Sequence, residues 1–150
     1  MEEQQTPARK LVALRQAYIK DLSFESPKSP GIFVSEVDTE ILVDIQSNSR
    51  TINEETVEVT LTLTVKSVAQ EETMFLIELA QAGLFTIRGF TGDERIAMLA
   101  TECPEKLYSY ARVAVAEVAN RGGFPELLLQ PVDFYALFEK NVQQLSGTQN

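Results

Sequence analysis

The side chains that usually carry enzymatic chemistry are sparse in this sequence. It contains no histidine and one cysteine, Cys103, so histidine-based triads and cysteine-rich zinc sites cannot be built. Cys103 precedes Pro104 at a predicted helix start, where the helix dipole could lower the pKa of the thiol. The alternative for Cys103 is a small packed or capping side chain.

The acidic residues and glycines form no recognisable catalytic pattern. Acidic neighbours occur at Glu54-Glu55, Glu71-Glu72 and Asp93-Glu94. Neighbours on a strand point to opposite faces, and a carboxylate pair needs a sheltered pocket to separate its pKa values. The glycines between residues 83 and 92 match no phosphate loop or dinucleotide fingerprint. We therefore predict no catalytic residue, no metal and no cofactor, and a protein that acts by binding.

The length and charge of the chain narrow the class of partner. Its 150 residues suit one domain, with residues 1–9 and 146–150 expected to be disordered. The net charge of −9 disfavours nucleic acid and anionic membranes. It suits a basic protein partner, and the alternative is that the acidity only maintains solubility. The first ten residues lack the apolar core of a signal peptide. No apolar run reaches the roughly 20 residues of a membrane span. The sequence therefore indicates a cytoplasmic protein.

Hydrophobic periodicity predicts four strands in the first 90 residues. Val37 to Ile45 and Val57 to Val65 alternate apolar with polar residues, as half-buried strands do. The polar stretch from Ser47 to Glu55 is predicted to be the turn between them. Lys10 to Phe24 shows neither period cleanly, but its composition favours a strand. Thr73 to Arg88 is apolar on both parities, so its second face must meet a helix of the same chain or another subunit.

Helical periodicity predicts three helices in the remainder. Asp93 to Thr101 can form a short helix, and a longer one begins near Pro104 and ends at Gly122-Gly123. Asp133 is placed to cap a last helix that continues to about Gln144. Strands followed by helices indicate an α+β fold with a four-stranded antiparallel sheet.

Four sequence strings resemble the SecB family of protein-export chaperones. The strings, in family order, are Tyr18 to Pro27, Glu71 to Glu78 followed by Gly83 to Ile87, Cys103-Pro104 with Tyr110 to Arg112, and Arg121 to Pro125 followed by Leu129, Pro131-Val132 and Phe134. The resemblance implies a sheet with the C-terminal helices packed on one side, assembled as a dimer of dimers. It further implies a homotetrameric chaperone that holds unfolded preproteins without ATP and passes them to SecA, the motor ATPase of the Sec translocase.

The resemblance also implies three sets of site residues. The client groove would contain Val37, Ile41, Val43, Ile45, Phe138 and Val142. The patch that meets the motor ATPase would contain Asp21, Glu25, Leu76 and Glu78. Subunit contacts would come from Ile77, Leu79, Ala111 and Val115. From the residues alone, each set also fits an ordinary alternative: an intrachain core for the first and third, and solvated charges for the acids of the second.

The chain departs from the family pattern in three places. Val37 replaces a large aromatic residue, so the aromatic part of the groove is expected to be reduced. Tyr108-Ser109 replaces a Phe-Pro pair, and the tail from Gly147 is short and uncharged. Two other functions remain open: a SecB-like chaperone dedicated to one client such as an antitoxin, and an enzyme or small-molecule carrier on the same fold.

Overall fold

Four strands precede three helices in the computed structural model, which describes residues 9–147. The elements are β1 (Leu11–Glu25), β2 (Glu40–Thr51), β3 (Thr56–Ala69), β4 (Glu72–Arg88), α1 (Gly92–Ala100), α2 (Glu102–Arg121) and α3 (Phe134–Gly147), with a short 3₁₀ turn at Gly31–Phe33. This order confirms the predicted α+β class. Of the ends predicted to be disordered, residues 1–8 and 148–150 lie outside the described residues, while Ser146 and Gly147 belong to α3.

The strands form one antiparallel sheet in the order β1-β4-β3-β2. In β3 the odd-numbered residues from Val57 to Val65 are fully buried, and they form the face that α2 covers, here called the inner face. The even-numbered residues from Glu58 to Thr64 lie on the opposite, outer face. The predicted alternation is therefore confirmed, because burial under a helix requires period two.

The doubly apolar strand β4 is covered mainly by its own chain. On its inner face Ile77 and Leu79 are buried beneath α2. On its outer face Met74 is 5% exposed and Ala82 is fully buried, while Leu76 is half-buried. Helix α2 therefore covers one apolar face of β4. The other face remains partly accessible.

Two bulges in β1 explain why its sequence shows no clean period. Its pairing with β4 shifts register between Leu14 and Gln16 and again between Ile19 and Asp21. Each bulge inserts one residue, so the side chains after it change faces. Inner-face residues are consequently even-numbered up to Leu14, odd-numbered at Ile19 and even-numbered again at Phe24. A period-two search cannot detect a strand whose phase changes twice.

The predicted turn from Ser47 to Glu55 is wrong for most of its length. Residues 47–51 belong to β2, and Ser47 and Thr51 pair with Leu61 and Val57 of β3. Polar composition suggested a loop, but pairing with a buried strand satisfies the backbone of these residues and overrides their local propensity. The turn itself contains only residues 52–55.

Helix α2 crosses the inner face and leaves β2 uncovered. It contacts β1, β3 and β4, and it approaches β4 so closely at Gly83 that a Cβ there would lie 2.6 Å from Cδ2 of Leu107. Gly83 thus allows the helix to lie directly against the strand. The predicted cap of the last helix is also present, since the Ala136 N–H donates to Oδ1 of Asp133 at 3.0 Å.

Candidate functional site

An apolar groove follows the inner side of the edge strand β2. Ile41, Val43 and Ile45 point to this side, where they pair with inner-face residues of β3. Ile41 is 36% and Val43 42% exposed, because α2 does not extend over β2. Large apolar side chains that remain open along an edge strand provide a surface for an extended polypeptide.

One end of the groove deepens into an aromatic cavity of about 380 Å³. Val37 and Ile41 line it together with Phe33, Phe75 and Phe124. The ring of Phe124 lies 4.7 Å from that of Phe75 and 5.3 Å from that of Phe33, measured between centroids. The cavity is therefore aromatic despite Val37, because Phe33, Phe75 and Phe124 supply the rings.

The other end of the groove is a second cavity, of about 370 Å³. Ile45 and Phe138 line it from opposite sides, and Phe134 and Leu137 of α3 complete its apolar wall. Val142 is 47% exposed but does not line either cavity. The structure thus aligns five of the six predicted groove residues and leaves Val142 on α3 beyond them.

The predicted acidic patch lies on the outer face, at one end of β1 and β4. Glu25 pairs with Leu76, and Asp21 pairs with Ala80 two rows along. Glu78 is exposed in the row between them. Within the described chain these three carboxylates form no ion pair. Unpaired carboxylates around a half-buried leucine suit a basic partner with a small apolar contact.

The four predicted subunit contacts belong instead to the intrachain core. Ile77, Ala111 and Val115 are 0% exposed and Leu79 is 1% exposed within a single chain. A second subunit cannot touch side chains that have no accessible surface, so this assignment is corrected. The helical stripe through Ala111 and Val115 is the one that packs on the sheet.

The exposed apolar residues of α2 and β1 were not singled out from the sequence. Val113 is 58%, Tyr110 49% and Ile19 49% exposed, and together they line a cavity of about 540 Å³. Tyr110 and Val113 are three residues apart on the helix, so they share a face opposite the core stripe. A search for a second apolar stripe on the predicted helix could have found them.

A buried carboxylate on the outer face was also missed. Glu58 is 9% exposed, and it accepts hydrogen bonds from the Tyr18 hydroxyl and from Nζ of Lys20, the latter at 3.0 Å. The bond from Tyr18 holds the pKa of Glu58 below its usual value. Burial, followed by this bond, raises the pKa of Tyr18 to about 12. The two hydrogen bonds satisfy a carboxylate that is largely removed from water.

Cys103 is packed in the core and its thiol is unreactive. It is fully buried, and burial raises the pKa of its thiol to about 12, opposite to the lowering that a helix start could produce. The packed alternative therefore holds. Among residues 9–142 no group of three or more metal-binding side chains is found, and no described helix is long and apolar enough to cross a membrane.

An open apolar groove on one side of a sheet and an acidic patch on the other define a polypeptide-binding protein of the chaperone class. The family model for SecB, described as a preprotein translocase subunit, matches residues 3–145. The chain belongs to the SecB family of protein-export chaperones.

Curated relatives agree over nearly the whole chain. The protein-export protein SecB of Methylococcus capsulatus is 40% identical over 142 residues, which cover 95% of this chain and 91% of the relative. The SecB protein of Alcanivorax borkumensis is 38% identical, with 89% and 87% covered. These likenesses support a chaperone of protein export.

A solved structure shares the fold. The SecB-like chaperone of Mycobacterium tuberculosis, in complex with a ChAD peptide from the HigA1 antitoxin, superposes with a TM-score of 0.64. It covers 81% of this chain and 90% of its own, at 17% identity. At that identity the likeness concerns the fold, and the fold prediction is confirmed.

Proposed function

We propose that this protein is an ATP-independent, cytoplasmic holding chaperone that keeps precursor proteins unfolded and delivers them to SecA. Its activity is binding, with no catalysed reaction. The observation that carries the proposal is the position of two complementary surfaces on opposite faces of one sheet. A client on the inner side and a motor on the outer side can be bound at the same time, which delivery requires.

The inner groove is suited to unfolded chains. Its floor consists of Ile41, Val43 and Ile45, and an apolar cavity lies near each end. β2 is an edge strand with unpaired backbone groups, so a client segment can add to the sheet through backbone hydrogen bonds without a sequence code. Client side chains would then enter the two cavities, where apolar burial supplies affinity.

The outer patch of Asp21, Glu25, Leu76 and Glu78 is proposed to bind SecA. Opposite charge accelerates encounter and selects for basic partners. Its carboxylates are exposed on a paired sheet, so binding has to order their side chains but not the backbone that carries them.

The exposed edge of β1 and the outer side of α2 are proposed to join copies of the chain into a dimer of dimers. β1 is 15 residues long and has a neighbour on one side only. Such an edge invites pairing with another strand. The adjacent apolar surface of Ile19, Tyr110 and Val113 would be buried by the same association.

Light scattering during client capture tests the assembly and the holding activity together. We expect a mass about four times the chain mass of 16.7 kDa, and capture of an unfolded secretory precursor on rapid dilution without nucleotide. A monodisperse monomer that leaves the precursor to aggregate would refute both.

A charge reversal tests the motor surface separately. Glu78→Lys is expected to weaken SecA binding about tenfold or more while client capture is unchanged, since it places a cation opposite a basic partner on the outer face. Glu54→Lys makes the same change at an exposed position in the β2–β3 turn and should bind SecA as the wild type does. Equal loss of both activities in Glu78→Lys would show that the patch is assigned wrongly.

A further inference from the structure

The outer face carries a leucine–carboxylate pair twice. Leu76 and Glu78 lie on β4, and Leu42 and Asp44 lie on β2, one strand beyond β3. Leu42 and Leu76 flank Lys66 directly, in register on either side. Glu78 and Asp44 flank the next outward residue of β3 in the same way.

The two pairs are related by a simple translation. β2 and β4 are both antiparallel to β3, so they run in the same direction, and the leucine precedes the carboxylate in both. Two strand spacings separate the pairs by about 10 Å. A binding element that recognises one leucine–carboxylate pair therefore meets a second pair in the same orientation.

The second pair is as accessible as the first. Leu42 is 47% exposed, and Asp44 is exposed with a single side-chain hydrogen bond, from Gln46 at 3.3 Å. Val68 lies diagonally next to Leu42 on the same face, and it extends the apolar surface that begins at Leu76. Leu42, Val68 and Leu76 thus place apolar surface around Lys66, and the carboxylates of Asp44 and Glu78 lie along one side of it.

We infer that Leu42 and Asp44 form the second half of the SecA-docking surface, and that the whole surface takes a basic segment of SecA that crosses β4, β3 and β2. This inference rests on the proposed function. The segment would place one apolar side chain at each leucine and cationic side chains at the carboxylates. Lys66, at the centre, is the one charge in this row that opposes such a partner.

Substitutions at positions 42, 43 and 44 test the functions of the two faces of β2 separately. Asp44→Lys is expected to weaken SecA binding about tenfold, and Leu42→Ser about fivefold, which corresponds to about 1 kcal/mol for the exposed half of a leucine. Both should capture the unfolded precursor normally. Val43→Ser, between them on the inner face, should bind SecA normally and lose precursor affinity.

Lys66→Gln provides a test of opposite sign. Removing the central cation is expected to strengthen SecA binding about two- to threefold at low salt, with the gain lost at high salt. A variant that merely damages the sheet would weaken binding, so an increase cannot arise from misfolding.

Binding of purified SecA, measured by titration calorimetry, distinguishes the outcomes. If Glu78→Lys loses affinity while Asp44→Lys, Leu42→Ser and Lys66→Gln equal the wild type, the second half of the surface is not used and the inference is overturned. If wild-type protein does not bind SecA, the proposed function fails, and this inference fails with it.

Discussion

Replacing Gly122 by alanine should disturb the aromatic cavity from a distance. Gly122 ends α2 against the ring of Phe24, and a Cβ at that position would lie 2.8 Å from both Cε atoms of the ring. Ordinary contacts begin at 3.4 Å, so the ring must recede. Phe24 stacks at 6.2 Å on Phe75 and lies 6.3 Å from Phe124, and its movement would push these two rings into the groove.

The size of the effect follows from overpacking. Forcing one extra carbon into a packed site costs about 1–3 kcal/mol. The backbone at Gly122 has φ −77°, which any residue adopts, so alanine adds no backbone strain and recovers about 0.4–1 kcal/mol through the unfolded chain. With the middle of each range, about 2 and about 0.7 kcal/mol, the net loss is about 1.3 kcal/mol. This loss should lower Tm by about 2–4 °C per kcal/mol in a chain of this size.

Gly92→Ala is the matched control. A Cβ there would meet nothing within 4 Å, so this variant should be as stable as the wild type or slightly more stable. Urea unfolding and precursor capture are measured for both variants at one protein concentration, because assembly contributes to stability. We expect only Gly122→Ala to unfold earlier and to bind precursor less tightly. Equal unfolding midpoints and equal capture in the two variants would refute the contact between Phe24 and the helix end.

Two further perturbations test the assembly surface and the outer-face network. Val113→Asp should fold but yield a smaller mass by light scattering. Val115→Asp should unfold the chain, because Val115 is fully buried. If the mass of Val113→Asp is unchanged, α2 is not part of the proposed interface. The pKa of Tyr18 rises from 10.0 to about 12 in the folded chain, so its contribution to stability is complete below pH 10 and is lost as pH rises toward 12. Tyr18→Phe should flatten the fall in unfolding free energy over that interval, and a slope that is unchanged would contradict the network with Glu58.

The local pattern of the sequence was sufficient where a single period or a single cap decides the structure. The strand β3 could be predicted from alternation alone. The helix cap at Asp133 could be predicted from its place before an apolar helical stripe. The acidic patch could be predicted as a set because Glu25, Leu76 and Glu78 belong to recognisable family strings, and antiparallel pairing then places them on one face.

The sequence pattern failed to predict the structure where neighbouring strands decide it. Residues 47–51 are polar, yet they form a strand because buried β3 offers them backbone partners. The two bulges of β1 change its phase, and they depend on pairing with β4 rather than on any local preference. The repeated leucine–carboxylate pair is likewise invisible along the chain, since Leu42 and Leu76 are 34 positions apart.

The sequence by itself determined the class of the fold, the family and the negative charge of the acidic patch, because composition, periodicity and short strings are local properties. Only the tertiary structure decided which apolar residues remain accessible. Val115 is buried and Val113 exposed because α2 presents one side to the sheet. The aromatic cavity combines Phe33, Phe75 and Phe124 from three separate segments, and its shape depends on how those segments pack.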